Sequence, residues 1–184
     1  MKLGTIVTAT DLNPLYIEFI PIFIRAWKKV VPEADIHIIL VASEIPETYK
    51  PYQEYIKLFP PIEGLHTAFQ AQCIRLLYPR DVQRKEGVII TDMDMLPLSR
   101  RYFVDSIKDV PEDTFVSYRN VLMPEQIAMC YNVAHPEIWQ SVFGKDSTES
   151  MLRQWYQNQG YSGIHGGSGW CIDQLKLATY FHQW

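Results

Sequence analysis

The sequence predicts an α/β fold in which a single Rossmann-like, mixed but mainly parallel sheet is flanked by helices. Three apolar runs rich in β-branched residues support this prediction, at residues 3–8, 35–41 and 87–91. Helical patterns separate these runs, and strands joined through helices favour a parallel sheet covered on both faces. With 184 residues and no internal repeat, the chain is expected to form one domain, residues 1–184.

The first helix is predicted to begin at a capped turn. Asn13 is a suitable N-cap, and Pro14 occupies the first helical position, where its missing N–H removes no helical hydrogen bond. Apolar residues then recur at helical spacing as far as Val30. Pro21 lies inside this pattern, so we expect it to kink the helix or to divide it into two.

The remaining elements are predicted from the same periodicities. Residues 46–59 have a weak pattern, typical of a short helix and a loop, whereas residues 67–78 have a clear helical pattern that ends before Pro79. Beyond the third strand we expect two strands, two helices, a glycine-rich turn and a last helix. These cover residues 114–118, 127–133, 136–143, 148–159, 163–169 and 173–181, in that order.

Composition and charge argue against several classes of protein. The formal net charge is -4 and no cluster of Lys and Arg is present, so nothing supports a nucleic-acid-binding surface. The three cysteines are far apart and form neither a disulfide framework nor a CxxC metal motif. The sequence has no signal-peptide pattern and no apolar run long enough to span a bilayer. We therefore expect a soluble, cytoplasmic protein.

The most informative motif is the pair Asp92 and Asp94 at the end of the third strand. Successive side chains of an extended chain alternate between faces, so these two carboxylates point the same way. They repel each other unless a cation or a network of donors offsets their charge. A divalent ion such as Mn²⁺ or Mg²⁺ does this, and it binds phosphate oxygens as well. On the motif alone, a solvated acidic turn is the alternative.

Two strand ends are predicted to flank a single crevice, because ligands of such sheets bind beyond the carboxyl ends of the strands. The first strand leads into the small polar residues Thr8 and Thr10 and the carboxylate of Asp11. The third leads into Asp92 and Asp94. We expect the first strand end to hold a nucleotide and the second to hold its metal-bound diphosphate.

Five segments match, in order, the pattern of one known group of enzymes. They are IVTATD at residues 6–11, RLLYP at 75–79, TDMDMLP at 91–97, MCYNVA at 129–134 and the pair Asp173-Gln174. Together they resemble the DXD-containing nucleotide-sugar glycosyltransferases of the GT-A fold, especially the glycogenin-like and lipopolysaccharide galactosyltransferase-like enzymes. The chain is also similar to glycosyltransferase domains of large algal viruses that decorate capsid proteins, which implies the host cytoplasm as its location.

This resemblance implies a reaction, a cofactor and a set of site residues. The reaction is transfer of a sugar from a nucleoside diphosphate sugar, with a UDP-sugar as the expected donor, to a hydroxyl of a glycan or glycoprotein. Retention of the anomeric configuration is expected, with Mn²⁺ or Mg²⁺ as the cofactor. The implied donor-binding residues are Thr8, Thr10, Asp11, Arg75, Asp92 and Asn132, the metal ligands Asp92 and Asp94, and the catalytic pair Asp173 and Gln174.

The chain departs from the family pattern in two places. The strand around Asn132 lacks the glycine that usually follows. The family's histidine-x-x-glycine-x-lysine element, which supplies a third metal ligand and a phosphate contact, should follow the aspartate–glutamine helix, yet the sequence stops at Trp184. Either the sequence is a fragment of a longer protein, or His165 in the glycine-rich turn serves as the ligand instead.

Each candidate residue also has a plain structural interpretation. Arg75 could form an ion pair with a nearby acid, Asn132 could hydrogen-bond to the backbone, and Asp173 could cap the last helix. His165 could be an ordinary surface residue. Trp170 could provide a platform for the acceptor sugar or could simply pack in the core.

Three other functions share parts of this pattern. A phosphatase of the haloacid dehalogenase type also places D-x-D after a strand, but Thr or Val normally stands where this chain has Leu96. A nucleotidyltransferase needs a glycine-rich, basic loop early in the chain, and this sequence has none. A non-catalytic nucleotide-sugar-binding module is the third alternative.

Overall fold

A computed structural model of the chain describes residues 1–119, 125–157 and 160–184. Within them, helices pack on both sides of a central sheet. Its strands are β1 (Leu3–Thr10), β2 (Asp35–Val41), β3 (Ile56–Phe59), β4 (Gly87–Ile90), β5 (Val116–Ser117) and β6 (Asn132–Ala134). The α-helices are α1 (Pro14–Ile17), α2 (Ile20–Val30), α3 (Thr67–Leu77), α4 (Pro136–Phe143), α5 (Thr148–Tyr156) and α6 (Ile172–Gln183). Two 3₁₀-helices (Glu47–Tyr52, Tyr78–Asp81) and a π-helical turn (Arg101–Asp105) are also present.

The sheet is mixed and mainly parallel, as predicted. Its strand order is β3-β2-β1-β4-β6-β5. β1 pairs in parallel with β2 on one side and with β4 on the other, and β3 pairs in parallel with β2. β6 is antiparallel to β4, and β5 is antiparallel to β6. The α/β fold class is therefore confirmed.

The sheet separates two apolar clusters, because side chains of the buried strands alternate between its faces. Along β1, Val7 packs into a cluster with residues of α3, α4, α5 and α6, whereas Ile6 packs into a second cluster with residues of α2. All eight residues of β1 are buried, as expected for a strand with no solvent-facing side.

Pro21 divides the predicted first helix into two. α1 ends at Ile17 and α2 begins at Ile20, so Pro21 lies in the first turn of α2, where a missing N–H is tolerated. Asn13 is the N-cap of α1, and its side chain accepts a 3.1 Å hydrogen bond from the backbone N–H of Leu15. The helical segment therefore starts directly after the end of β1.

The sequence prediction misses the strand β3 at one edge of the sheet. Residues 46–59 are predicted to form a helix and a loop, but they form a 3₁₀-helix followed by β3. Among the strands of the described residues β3 pairs only with β2, and its residues Lys57 and Leu58 are exposed. An edge strand need not bury a full face, so its apolar pattern in the sequence is weak.

The opposite edge is shorter than predicted. The prediction of a strand over residues 127–133 is wrong for residues 127–131, because β6 begins only at Asn132. The strand expected over residues 114–118 is reduced to β5. Residues 127–131 are mostly buried without joining the sheet. An apolar run reports burial, whereas a strand also requires a hydrogen-bonded neighbour.

The helix predictions agree closely with the structure. α3, α4 and α6 differ from the predicted bounds by no more than two residues at either end. α5 ends at Tyr156, and residues 158–159 of the predicted helix lie outside the described residues. No helix in the described part of the chain is both long enough and apolar enough to cross a lipid bilayer.

The carboxyl ends of β1 and β4 lie side by side. Val7 pairs with Ile90 in the parallel register, and the N–H of Thr91 donates to the carbonyl of Val7 at 3.0 Å. The segments that lead to Asp11 and Asp94 therefore leave the sheet at the same edge. This places the two predicted strand ends together.

Trp139 is expected to contribute strongly to stability. Its ring is fully buried and stacks on Phe143, and its Nε1 donates to the carbonyl of Val88 at 3.1 Å. Trp139→Phe should reduce the free energy of unfolding by about 1–3 kcal/mol, because it removes both packing volume and a buried hydrogen bond. Urea denaturation followed by circular dichroism measures this change.

Trp184→Phe is the matched control, because Trp184 is 50% exposed. It should change the free energy of unfolding by less than about 0.5 kcal/mol. An equal loss of stability in both variants would contradict the assigned role of Trp139.

Candidate active site

A cavity of about 400 Å³ opens at the carboxyl ends of β1 and β4. The end of β1, α1, α3, the segment after β4, the glycine-rich turn and the start of α6 contribute to its wall. All predicted site residues line it except Thr8 and Asn132. Its charged, polar and aromatic residues include Thr10, Asp11, Tyr16, Gln72, Arg75, Asp92, Asp94, Arg119, His165, Trp170, Asp173 and Gln174.

Arg75 is the centre of a buried ion-pair network at this cavity. Its side chain is only 7% exposed. Nη1 donates to Asp92 Oδ1 and, at 3.2 Å, to the carbonyl of Thr91, while Nη2 donates at 2.9 Å to Asp173 Oδ2. Nε donates to the carbonyl of Gln72 at 3.3 Å. Each guanidinium nitrogen thus has a partner, and the network joins α3, the segment after β4 and α6.

Burial and charge act on this network in opposite directions. Burial opposes the charge of Arg75, but its two carboxylate neighbours outweigh that effect and raise its pKa. Burial also opposes the charge of Asp92, yet the charge and hydrogen bond of Arg75 hold the pKa of Asp92 below its ordinary value. For Asp173, burial prevails and raises the pKa to about 6. The charge of Arg75 acts against this shift, but Asp173 shares Arg75 with Asp92, and the negative charge of Asp92 raises the pKa of Asp173 further.

Asp11 fixes the chain that follows β1. Its Oδ1 accepts the backbone N–H of Asn13 at 3.0 Å, and its Oδ2 accepts the hydroxyl of Thr67 at 2.8 Å. The hydroxyl of Thr10 donates to the carbonyl of Asp11 at 3.0 Å. These bonds tie the predicted nucleotide-binding loop to the first turn of α3.

Thr8 and Asn132 do not line the cavity. Both are completely buried. The Nδ2 of Asn132 donates to the carbonyls of Ala128 and Met129 at 2.8 and 2.9 Å, which is the backbone role that the sequence left open. Its Oδ1 and the hydroxyl of Thr8 have no hydrogen-bond partner among the described residues. A donor contact for either residue stays a prediction.

The two aspartates of the D-x-D motif are engaged to different degrees. Asp92 is held by Arg75 and its side chain is 31% exposed, whereas Asp94 is exposed and has no ion pair with a described residue. The Nδ1 of His165 lies 3.0 Å from the hydroxyl of Tyr16. Burial raises the pKa of that hydroxyl, and the charges of Asp94 and Asp92 raise it further. These four side chains all line the cavity.

The described side chains of the cavity do not include a preformed group of three metal ligands. Across residues 1–119, 125–157 and 160–184, no three His, Cys, Asp or Glu side chains are grouped closely enough to hold one. The predicted role of His165 as a third ligand stays a prediction. In this structure its ring nitrogen faces Tyr16.

Asp173 and Gln174 lie in the first turn of α6. The interpretation of Asp173 as a helix cap is wrong, because Cys171 is the N-cap residue and makes no side-chain capping bond. Asp173 instead accepts the N–H of Gln174 at 2.8 Å through Oδ1 and binds Arg75 through Oδ2. Both of its carboxylate oxygens are therefore occupied.

Several cavity residues were not identified from the sequence. Tyr16 belongs to the apolar pattern of the first helix, so its exposed hydroxyl gave no signal. Arg119 directly follows the strand predicted over residues 114–118, and the strand-end rule that selected Asp92 could have found it. Trp170, by contrast, is a candidate from the sequence: it is half-buried in the cavity wall, where its ring stacks on Tyr161 at a centroid distance of 6.4 Å.

Comparison with known proteins finds similarity in structure only. No protein-family model and no curated protein sequence matches the chain. Among solved structures, galactosyltransferase LgtC in complex with donor and acceptor sugar analogues has a TM-score of 0.50 at 12% identity, covering 91% of this chain and 68% of LgtC. An active-site mutant of LgtC gives a TM-score of 0.50 at 13% identity, covering 86% and 66%.

The glycosyltransferase GlyE of Streptococcus pneumoniae TIGR4 is also similar. Its TM-score is 0.55 at 15% identity, covering 98% of this chain and 44% of GlyE. This chain therefore spans about two thirds of the length of LgtC and less than half that of GlyE. At such low identities the likeness concerns the fold, and it confirms the predicted GT-A type.

The pKa of Asp173 leads to a prediction about stability. A carboxyl group whose pKa rises from 3.8 to about 6 on folding stabilises the protein below pH 3.8, and this contribution is lost as the pH rises through 6. The free energy of unfolding of the wild type, minus that of Asp173→Asn, should therefore fall by up to about 3 kcal/mol across this range. Denaturant titrations from pH 4 to 8 measure the difference.

Asp109→Asn is the control, because its side chain is 89% exposed and it reports the general effect of removing one negative charge. A difference between wild type and Asp173→Asn that rises with pH would overturn the prediction. It would mean that attraction to Arg75 outweighs the burial of Asp173.

Proposed function

We propose that this chain transfers a sugar from a nucleoside diphosphate sugar, most simply a UDP-sugar, to a hydroxyl of a glycan or glycoprotein, with Mn²⁺ or Mg²⁺ as cofactor. The observation that carries this proposal is the cavity at the ends of β1 and β4, where the exposed Asp94 lies next to an Asp92 fixed by Arg75. The GT-A type fold supports the same conclusion. We also propose that residues 1–184 form one domain of this kind.

The cavity residues fit a divalent ion. Asp92 has one carboxylate oxygen outside its Arg75 hydrogen bond, Asp94 has two, and the imidazole of His165 lines the same cavity. Carboxylate oxygens suit both Mg²⁺ and Mn²⁺. Diphosphate and water oxygens would complete the coordination. When bound, such an ion neutralises negative charge on the departing diphosphate.

Arg75 and Asp173 fix the geometry of the proposed donor site. Both terminal nitrogens of Arg75 bind carboxylates, so the guanidinium fixes the position of Asp92. A fixed carboxylate lowers the entropic part of the barrier, because it need not be ordered during the reaction. Asp173 in turn fixes the position of Arg75, and Asp173 itself lines the cavity.

Gln174 has the chemistry to contact the donor sugar. It lines the cavity next to Asp173, and its side-chain amide makes no hydrogen bond to the described residues. An amide can donate to one sugar hydroxyl and accept from another. In this proposal Gln174 contacts the sugar. Asp173 has to release its hydrogen bond to Arg75 or to the N–H of Gln174 before it can act as a base.

Ligand-dependent stabilisation tests the proposal. With a UDP-sugar at a hundredfold excess over its dissociation constant and Mn²⁺ present, the chain should gain about 2.7 kcal/mol, or roughly 5–10 °C in its unfolding midpoint. Differential scanning fluorimetry over a panel of nucleotide sugars, with and without Mn²⁺, measures the shift. Asp94→Asn should abolish the metal-dependent part, because it removes the exposed carboxylate.

Asp109→Asn should behave as the wild type in this assay, since Asp109 lies outside the cavity. No metal-dependent shift with any nucleotide sugar would refute the proposal. A shift without turnover of donor, with or without acceptor, would indicate the non-catalytic binding module. Rapid hydrolysis of an aryl phosphate would revive the haloacid dehalogenase-type phosphatase.

The stereochemistry of the product separates two mechanisms. We expect retention of the anomeric configuration, because both oxygens of Asp173 already accept hydrogen bonds from the protein, which makes Asp173 a weaker base toward an acceptor hydroxyl. Proton NMR of the first-formed product reports its anomeric configuration directly. An inverted product would instead assign Asp173 as a general base that releases Arg75 or the Gln174 N–H during the reaction.

A further inference from the structure

The cavity is lined by more negatively charged than positively charged side chains. Four carboxylates line it, and two of them bind the same guanidinium, that of Arg75. Arg119 is the other arginine in the lining. Within the described residues, no carboxylate lies within ion-pair distance of Arg119. Among those residues the charge of Asp92 acts on Arg119, but no carboxylate pairs with Arg119 directly.

Arg119 has a weak partner that a ligand can replace. Its Nη1 donates at 3.1 Å to the sulfur of Cys130, and a neutral thiol is a poor hydrogen-bond acceptor. A guanidinium also has five N–H donors in a planar fork, so one contact to sulfur leaves most of them available. A phosphate oxygen is a much stronger acceptor than sulfur and carries the opposite charge.

The position of Arg119 relates it to the D-x-D motif. Arg119 follows β5, which pairs with β6, and β6 in turn pairs with β4, the strand that leads into Asp92. The thiol of Cys130 contacts Arg119 and lies close enough to Asp92 for the charge of Asp92 to act on it. Arg119 and Asp92 thus line the cavity from two strands, β5 and β4, that are separated in the sheet only by β6.

We propose that Arg119 binds the diphosphate group of the donor nucleotide and exchanges its contact with Cys130 for phosphate oxygens. This inference rests on the proposed function, since it presupposes a nucleoside diphosphate in the cavity. The role differs from that of Arg75, which is committed to two protein carboxylates. Arg119 balances the charge of the ligand, whereas Arg75 balances the charge of the protein.

Isothermal titration calorimetry with Mn²⁺ tests this role. The probes are UDP, GDP and ADP, together with the nucleoside of whichever diphosphate binds the wild type. Arg119→Met should weaken diphosphate binding roughly 10- to 100-fold, the range expected for a lost charge-assisted hydrogen bond. Affinity for the nucleoside, measured in the same way, should stay within about twofold, because the nucleoside carries no phosphate.

Two further variants serve as controls. Arg101→Met removes a positive charge from an exposed residue outside the cavity, and it should leave diphosphate affinity unchanged. Arg119→Lys keeps the charge and loses the planar fork, so it should recover part of the affinity. The thermal unfolding midpoint of each variant confirms that it is folded, and Arg119→Gln replaces Arg119→Met if the latter is not.

The possible failures can be distinguished. If the wild type binds none of the three diphosphates, the proposed function fails and this inference fails with it. If the wild type binds one of them and Arg119→Met binds it equally well, only the inference is overturned. Equal loss of nucleoside and diphosphate affinity would also overturn it, because Arg119 would then shape the cavity instead of binding phosphate.

Discussion

The buried guanidinium of Arg75 is the interaction on which the candidate site depends. It lies between Asp92 and Asp173 and connects α3, the segment after β4 and the start of α6. Removing it would leave the buried carboxylate of Asp173 without its ion-pair partner, at a cost of about 3–5 kcal/mol for a broken buried ion pair. Apolar residues of the same volume can stabilise a core equally well. Fixing Asp92 at the cavity is thus the function that best explains this charged network.

The charge pattern of the cavity also explains why a nucleotide sugar would need an added positive charge to bind. Asp11, Asp92, Asp94 and Asp173 line it, and a diphosphate would add further negative charge. Arg75 is already matched by two of these carboxylates. A divalent ion at the two D-x-D carboxylates and the guanidinium of Arg119 are the two sources of positive charge that the ligand could use. The two proposals therefore follow from the same excess of negative charge in the cavity.

Agreement between sequence and structure depends on how much of each element is buried. The central strands β1, β2 and β4 bury both faces, so continuous apolar runs identified them closely, and Pro21 divided its helix for a local steric reason. The edge strands β3 and β5 are short, as is β6 between β4 and β5, and each depends on hydrogen bonds to its neighbours. Apolar content alone therefore overestimated the strand over residues 127–133 and missed β3.

The sequence by itself determined the α/β class, the parallel core and the D-x-D pair at a strand end, because periodicity and strand alternation are local properties. It also singled out Arg75 and Asp173 as candidates. Only the tertiary structure decided that they bind each other across 98 residues of chain, that Asn132 turns to the backbone, and that Arg119 faces the cavity without a carboxylate partner among the described residues. Those outcomes depend on how α6 and the β5–β6 edge pack against α3 and β4, and local sequence patterns carry no information about packing between distant segments.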